Sequence, residues 1–384
     1  MAWEAHDRHL KALKEAPFRR SLPAVTLSPG VTLIRGPRQV GKSTWLKLLL
    51  KDQVDRGEEC FYYTCEDLRD FQDLTALIQS QPRAKFFFLD EITFVEEWWR
   101  SIKKAADTRP DLYFILTGSN SYDLKTGMDL MPGRWSSESS GGGELFLFPM
   151  LFHEWTQMRE QAGWPQFSLV DGLKAFMQVG GFPAALAETQ GAATTPQNAK
   201  ITYQRWIQGD VIKLGKQELF MRELMGQLVK IMGSSISLQG LAQKTQLMSY
   251  HTVQEYLSIL EHAFALRTFY AYDPDTDSFR FKKEKKYYFT DPITYWVALE
   301  WSGQKAPAGF EDQLAEMIAA EYLARKTKRI GYYSTSSGEV DFISQRDWAV
   351  EVKWAPVVHN LSKAYKNLRI PNKRVWSQNN FFEE

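Results

Sequence analysis

An α/β fold is what this sequence predicts, and three stretches predict it. The first is a short apolar run, Val31-Thr32-Leu33-Ile34, leading through a glycine-containing turn into a helix from Thr44 to Leu50. The second is Phe86-Phe87-Phe88-Leu89 closing on Asp90-Glu91. It reads as a central parallel strand with acids at its C-terminal edge, the edge where open α/β sheets bind ligands. The third is a pair of alternating strands near the C-terminus, Gly338 to Ile343 and Trp348 to Lys353, with a hairpin turn from Ser344 to Asp347.

The elements follow in chain order. An amphipathic helix with Leu10 and Leu13 on one face precedes the first strand. The turn after it reads Gly36-Pro37-Arg38-Gln39-Val40-Gly41-Lys42-Ser43, two glycines followed by Lys and Ser at P-loop spacing. Gly36 and Gly41 let the backbone fold back so that its N–H groups face phosphate oxygens, which a Cβ would obstruct. Lys42 is expected to reach the β- and γ-phosphates of ATP and Ser43 to offer its hydroxyl to Mg²⁺. Thr44 completes the expected nucleotide-binding set, at the positive end of the helix dipole.

A phosphate cradle binds nucleotide without hydrolysing it. Asp90 is expected to hold Mg²⁺ through water, and Glu91 to orient and polarise the attacking water. Trp98-Trp99 is expected on a helix packed against the sheet. A third strand, Leu112 to Thr117, ends in Gly118-Ser119-Asn120, where polar residues close a strand in the same order along the chain.

From Trp155 to about Gly233 the pattern turns helical, broken at Gly180-Gly181-Phe182-Pro183; Arg205 and Arg222 lie within it. Two short helices, Ile236 to Thr245 and Ser249 to Leu260, lead into the strand-like Phe264 to Tyr270. This reads as a winged helix-turn-helix. Ser249 is a natural N-cap, and Tyr250, His251 and Gln254 fall on the outer helix face. Two readings stand open: the motif reads DNA, or it packs and transmits motion. Arg280, Lys282, Lys283, Lys285 and Lys286 then cluster within seven positions. That run is either a phosphate-contacting patch or a solvated hairpin.

Taken in order, these pieces resemble a prokaryotic AAA-type ATPase family that carries a C-terminal restriction-endonuclease-like domain of unknown function. The matching segments are the P-loop at Gly36, Leu89-Asp90-Glu91-Ile92 with Trp98, Leu116 to Asn120, Gly133-Arg134, and Phe148-Pro149 with Phe152-His153-Glu154. Gly180 to Pro183, Tyr288 to Pro292, Glu339 to Phe342 and Glu351-Val352-Lys353 complete them. The resemblance implies that Ser119 or Asn120 senses the γ-phosphate. It implies that Arg134 is donated to a neighbouring subunit's nucleotide. It also implies that Asp341 and Glu351 bind a metal while Lys353 orients or activates water, with Glu316 able to add a carboxylate. The small-residue stretch Ser136 to Gly143 departs from the family pattern and reads as a flexible loop.

Composition bounds the rest. The chain has 384 residues, 44% hydrophobic and 24% charged, as a globular protein of two or three domains does. No run is long enough to span a membrane. The acidic N-terminus is unlike a signal peptide, so a cytoplasmic location is expected. A net charge of +1 confines any DNA-binding surface to a local patch. The two cysteines, Cys60 and Cys65, lack metal spacing and are expected as reduced thiols.

The expected organisation is a P-loop ATPase core over 1–154, a helical lid over 155–233, the winged helix over 234–272 and the endonuclease-like domain over 273–384. The expected activity is Mg-ATP-dependent hydrolysis by a homo-oligomer acting on DNA as motor or remodeller, with nuclease activity left open. The alternative is an ATP-gated switch whose C-terminal half only binds a protein or DNA partner.

Overall fold

The computed structural model describes residues 7–118, 121–134, 143–245, 249–327 and 329–383. It divides into two units, Met1–Pro149 and Met150–Glu384.

The first unit is a parallel sheet covered on both faces. Its strands are β1 (Gly30–Arg35), β2 (Cys60–Thr64), β3 (Phe86–Asp90), β4 (Tyr113–Thr117) and β5 (Glu144–Phe146), in the order β2-β3-β4-β1-β5. The helices are α1 (Arg8–Glu15), α2 (Lys42–Asp55), α3 (Phe71–Gln79), α4 (Trp98–Thr108) and α5 (Ser121–Asp129). Strand period two sends Phe87 and Leu89 to one face, where they meet Leu74, Ile78, Trp98 and Ile102 of α3 and α4. Phe86 and Phe88 go to the other face, against Trp45, Leu46 and Leu49 of α2. All five residues of β3 are therefore buried, as a strand sandwiched between helices must be. Cys60 and Cys65 are free thiols, and burial pushes both up, Cys60 to about 11 with Glu58 adding to it.

The second unit opens with helices α6 (Phe152–Gln161), α7 (Leu169–Val179), α8 (Pro183–Thr189), α9 (Gln197–Lys213) and α10 (Glu218–Ile231). Next come α11 (Leu238–Lys244), α12 (Tyr250–His262) and the hairpin β6 (Leu266–Asp273) and β7 (Ser278–Phe289). Then follow α13 (Pro292–Trp301), α14 (Phe310–Lys326), β8 (Gly331–Thr335), β9 (Gly338–Ser344), β10 (Trp348–Val352), α15 (Lys363–Asn367) and β11 (Asn372–Trp376). One six-stranded sheet, β11-β10-β9-β8-β6-β7, unites the last six strands. Among the described residues no helix is long and apolar enough to cross a membrane.

The break between the two units falls at Pro149–Met150, ahead of α6. Asp273 ends β6 inside a hairpin whose strands pair with each other and, through β6, with β8. Ser249 does cap α12, accepting from the Thr252 amide at 3.2 Å, and Tyr250, His251 and Gln254 point outward.

Asp291 ties two distant motifs together. It caps α13 by accepting from the Ile293 amide at 2.9 Å, and its second oxygen accepts from the Gly181 amide at 2.7 Å. A Cβ on Gly180, at φ +78°, would collide with that carboxyl. A Cβ on Gly181 would strike the Met150 carbonyl. The double glycine is thus dictated by close approach on both sides. Burial pushes Asp291 up to about 7, against the pull of the Ile293 and Gly181 amides and Arg325.

Two outcomes follow for stability. Gly180→Ala should lower the unfolding free energy by about 2–3 kcal/mol in urea titration, from positive φ plus displacement of a buried carboxyl. The folded chain also holds a proton on Asp291 that an unfolded chain, with its pKa near about 3.9, has released. Stability from this group is full below that value and is lost as pH rises through about 7. Asp291→Asn should flatten that part of the urea-midpoint profile between about pH 4 and about pH 7.

Candidate functional site

The P-loop site grows from the C-terminal ends of β1, β3 and β4. Leaving β1, the chain turns at Gly36, whose φ is +149° and where a Cβ would collide with the Leu147 carbonyl oxygen. Gln39 is left-handed at φ +58°, and Gly41, at φ +105°, is the residue on which α2 starts. No side chain caps that helix, so the turn presents its first amides outward. Pro37, Arg38 and Val40 complete the turn, and Ser43 and Thr44 lie in the first turn of α2.

Lys42 is 5% exposed and folds back on its own loop. Its ammonium donates to the carbonyls of Gly36 at 3.0 Å and Pro37 at 2.8 Å. Ser43 donates to Asp90 Oδ1 at 3.0 Å. Tyr62, at the middle of β2, donates to Asp90 Oδ2 at 3.3 Å, and burial, with Asp90 adding to it, holds its phenol protonated. The Thr117 hydroxyl donates to Asp90 Oδ1 and accepts from the Glu91 amide at 3.0 Å. Glu91 itself is left-handed at φ +54°, so the chain turns sharply after Asp90. A hydroxyl and a carboxylate in contact are hard oxygen donors of the kind Mg²⁺ takes, so the residues present fit that ion.

Tyr62 and Thr117 were not singled out by the sequence reading. Thr117 carried a signal: a polar residue ends an apolar strand, as Asp90 does in β3. The expected sensors Ser119 and Asn120 lie outside the described residues. Of the stretch 136–143, only Gly143 is described.

Arg134 is engaged within its own unit. Its guanidinium donates in bidentate fashion to Asp107 at the end of α4, at 2.6 and 2.9 Å, and to the Pro132 carbonyl at 2.8 Å. Its own carbonyl accepts from Val31, near the start of β1. Since the P-loop follows the end of β1, Arg134 lies toward the opposite edge of the sheet from its own P-loop.

The second constellation is in the C-terminal sheet. Antiparallel pairing of Ser344 with Trp348 and Phe342 with Val350 leads on to Asp341 beside Glu351. Lys353 lies 2.9 Å from Glu351 Oε1 and 3.7 Å from Asp341 Oδ2. Asp341 also accepts from the Val352 amide at 2.9 Å. From β7 comes Lys286, 1% exposed, with its ammonium 3.2 Å from Glu316, 3.4 Å from Glu339 and 3.4 Å from Asp341. Tyr288 donates to Glu316 as well.

Burial and Asp341 push Glu316 up to about 7, against Lys286 and Tyr288. Burial and Asp341 push Glu351 up too, against Lys353. Burial works against the charge on Lys286 and Lys353, but the carboxylates outweigh it and hold both protonated. Glu351 Oε2 is buried without a hydrogen-bond partner, which fits a cation there. Among the described residues no three His, Cys, Asp or Glu side chains gather as a metal-ligand group. The metal expectation thus rests on Asp341 and Glu351. Lys286 was expected in an outward basic run. The structure instead turns it inward as the counter-ion of three acids.

Comparison with known proteins matches two segments of the chain. Residues 28–156 match the family model described as an AAA domain, and residues 170–305 match a domain of unknown function (DUF8612). The second match runs from α7 through α13, and Asp341, Glu351 and Lys353 lie beyond both. The AAA-domain match thus covers most of the first unit, an α/β fold built on a parallel sheet. An uncharacterized protein of Haemophilus influenzae is 27% identical over 338 residues, covering 82% of this chain and 80% of that protein. Among solved structures, a Walker-type ATPase of Pyrococcus abyssi shares 15% identity at a TM-score of 0.48, over 77% of this chain and 95% of that one. The RuvB Holliday junction branch migration motor of Thermotoga maritima shares 17% identity at a TM-score of 0.32, over 70% and 89%.

Thr117→Val should cost about 1–2 kcal/mol of stability, because it leaves a buried carboxylate oxygen and the Glu91 amide each short of a partner. Thr117→Ser should restore it. Equal urea midpoints for wild type and the valine variant would show that the hydroxyl bridges nothing of consequence.

Proposed function

We propose that the chain is a Mg-ATP-dependent ATPase that acts on DNA as a motor or remodeller in the cytoplasm. One observation carries the ATPase reading. The P-loop serine and the strand-end pair Asp90-Glu91 are joined in one hydrogen-bonded chain through Thr117.

The roles follow from the chemistry. Backbone amides from Gly36 to Thr44 bind phosphate oxygens. Lys42 exchanges its two loop carbonyls for β- and γ-phosphate oxygens. Ser43 and Asp90 hold Mg²⁺, which when bound neutralises charge developing on the transferred phosphoryl group. Glu91 orients the attacking water, with its backbone fixed by Thr117. Ser119 and Asn120 are proposed as γ-phosphate sensors. Arg134 is proposed to serve a neighbouring subunit's nucleotide in a homo-oligomer, after release from Asp107.

That release favours a second reading. Engagement of Arg134 by Asp107 within its own unit favours slow turnover, and with it an ATP-gated switch whose C-terminal half only binds a protein or DNA partner. The endonuclease-like reading of Asp341, Glu351 and Lys353 is supported by their convergence. There Asp341 and Glu351 would hold the metal, which supplies a Lewis acid, and Lys353 would position water.

Lys42→Ala should abolish nucleotide binding. Glu91→Gln should bind ATP normally and lose at least about a hundredfold in turnover, the usual contribution of a positioned general base. Wild-type turnover in Glu91→Gln would remove its assigned role. Phosphate release measured with single-stranded, duplex, forked and four-way DNA tests the DNA reading. In the same series, metal-dependent nicking that Asp341→Ala removes while ATPase persists would establish the second site as catalytic.

A further inference from the structure

The basic run on β7 is divided by the fold. Lys286 is buried among carboxylates, and Arg280 is ion-paired with Asp273. What remains outward lies in a bulge. Tyr270 pairs with Lys285, and the next residue of β6, Ala271, pairs with Arg280. Phe281, Lys282, Lys283 and Glu284 therefore have no backbone pairing partner on β6 and stand out from the edge strand of the sheet.

The bulge is anchored and supported. The Glu284 carbonyl accepts from the Tyr332 hydroxyl at 2.7 Å, and its carboxylate accepts from Ser235 at 3.2 Å. Phe281 is 62% exposed, the most exposed aromatic ring among the described residues. It is nonetheless held, edge-on to Tyr270 at 5.0 Å and beside Phe279 at 6.1 Å. Lys282 and Lys283 are exposed and make no ion pair among the described residues. Lys285 lies over the Tyr270 ring at 5.8 Å.

We propose that this bulge contacts single-stranded nucleic acid, with Phe281 stacking on an unpaired base and Lys282 and Lys283 on the flanking phosphates. A fixed aromatic ring open to water beside two uncompensated lysines is the combination that sequence-tolerant single-strand binding uses. A duplex keeps its base faces stacked and would engage the lysines alone. The inference rests on the DNA reading above and names the element and strand form that carry it.

The test uses the full chain and a fluorescein-labelled oligothymidylate, followed by anisotropy. Phe281→Ala should weaken binding about tenfold, while Phe281→Tyr, which keeps a stacking face, should bind as wild type. Lys282→Gln with Lys283→Gln should reduce the slope of log affinity against log salt by about 1.4. These residues are exposed, and unchanged thermal midpoints will show that the variants fold. Binding by wild type that is indifferent to both changes would overturn this inference and leave the DNA reading standing. Binding of duplex in preference to single strand, unaffected by Phe281→Ala, would also overturn it. Failure of the wild type to bind any nucleic acid would remove the DNA reading itself, and this inference with it.

Discussion

A single buried carboxylate organises the first unit. Asp90 is reached by Ser43 from the first turn of α2, by Tyr62 from β2 and by Thr117 from β4, while it sits at the end of β3. Four segments of the sheet region thus converge on two oxygens. A buried carboxylate is tolerable only with such compensation. The sheet must therefore present these strand ends at matched heights. The parallel pairing of Thr64 with Asp90 and of Leu89 with Leu116 sets those heights. Backbone register and site geometry are one constraint here, because a shift of one residue would turn the acid to the opposite face.

In the second unit the corresponding part is played by buried charges that answer one another. Glu321 is gripped by Arg267 and Arg325, and Glu316, Glu339 and Asp341 share Lys286. Removing one member of such a group exposes the rest to uncompensated charge, which costs more than the pair ever contributed. The sheet and the helices around it are held in one arrangement by these groups together with aromatic packing, as between Phe269, Tyr288 and Phe342.

Legibility in the sequence followed the range of the interactions. The P-loop was readable because its residue types and spacing are local, and β3 because an apolar run meets two acids. The side chain bonded to Asp90 from β2 was not readable, since nothing in Cys60-Phe61-Tyr62-Tyr63-Thr64 distinguishes Tyr62 from Tyr63. They differ in which face of the strand they occupy, and sheet order decides what lies there. Lys286 escaped for a similar reason. In a run of basic residues only tertiary pairing separates the buried lysine from the solvated ones. Phe264 to Tyr270 read as strand-like and overlaps β6, but its pairing with β7 and the sheet they join could not be read, because the neighbour β8 lies some forty residues beyond β7 and is linked to β6 by one pair, Ala271 with Tyr332.

The sequence of β7 after its bulge runs Lys285-Lys286-Tyr287-Tyr288, each residue type doubled. A slip of one position in one direction would put Lys285 in the place of Lys286 and Tyr287 in the place of Tyr288, so at these two inward sites side-chain identity offers little protection against that misalignment. Alignment must come from the backbone. Ile236 exchanges both of its hydrogen bonds with Lys285, at 2.9 Å each, and clamps the strand from its outer side. That short segment ahead of α11 acts as a ratchet pawl on the edge of the sheet, fixing which of two otherwise interchangeable lysines is committed to the interior.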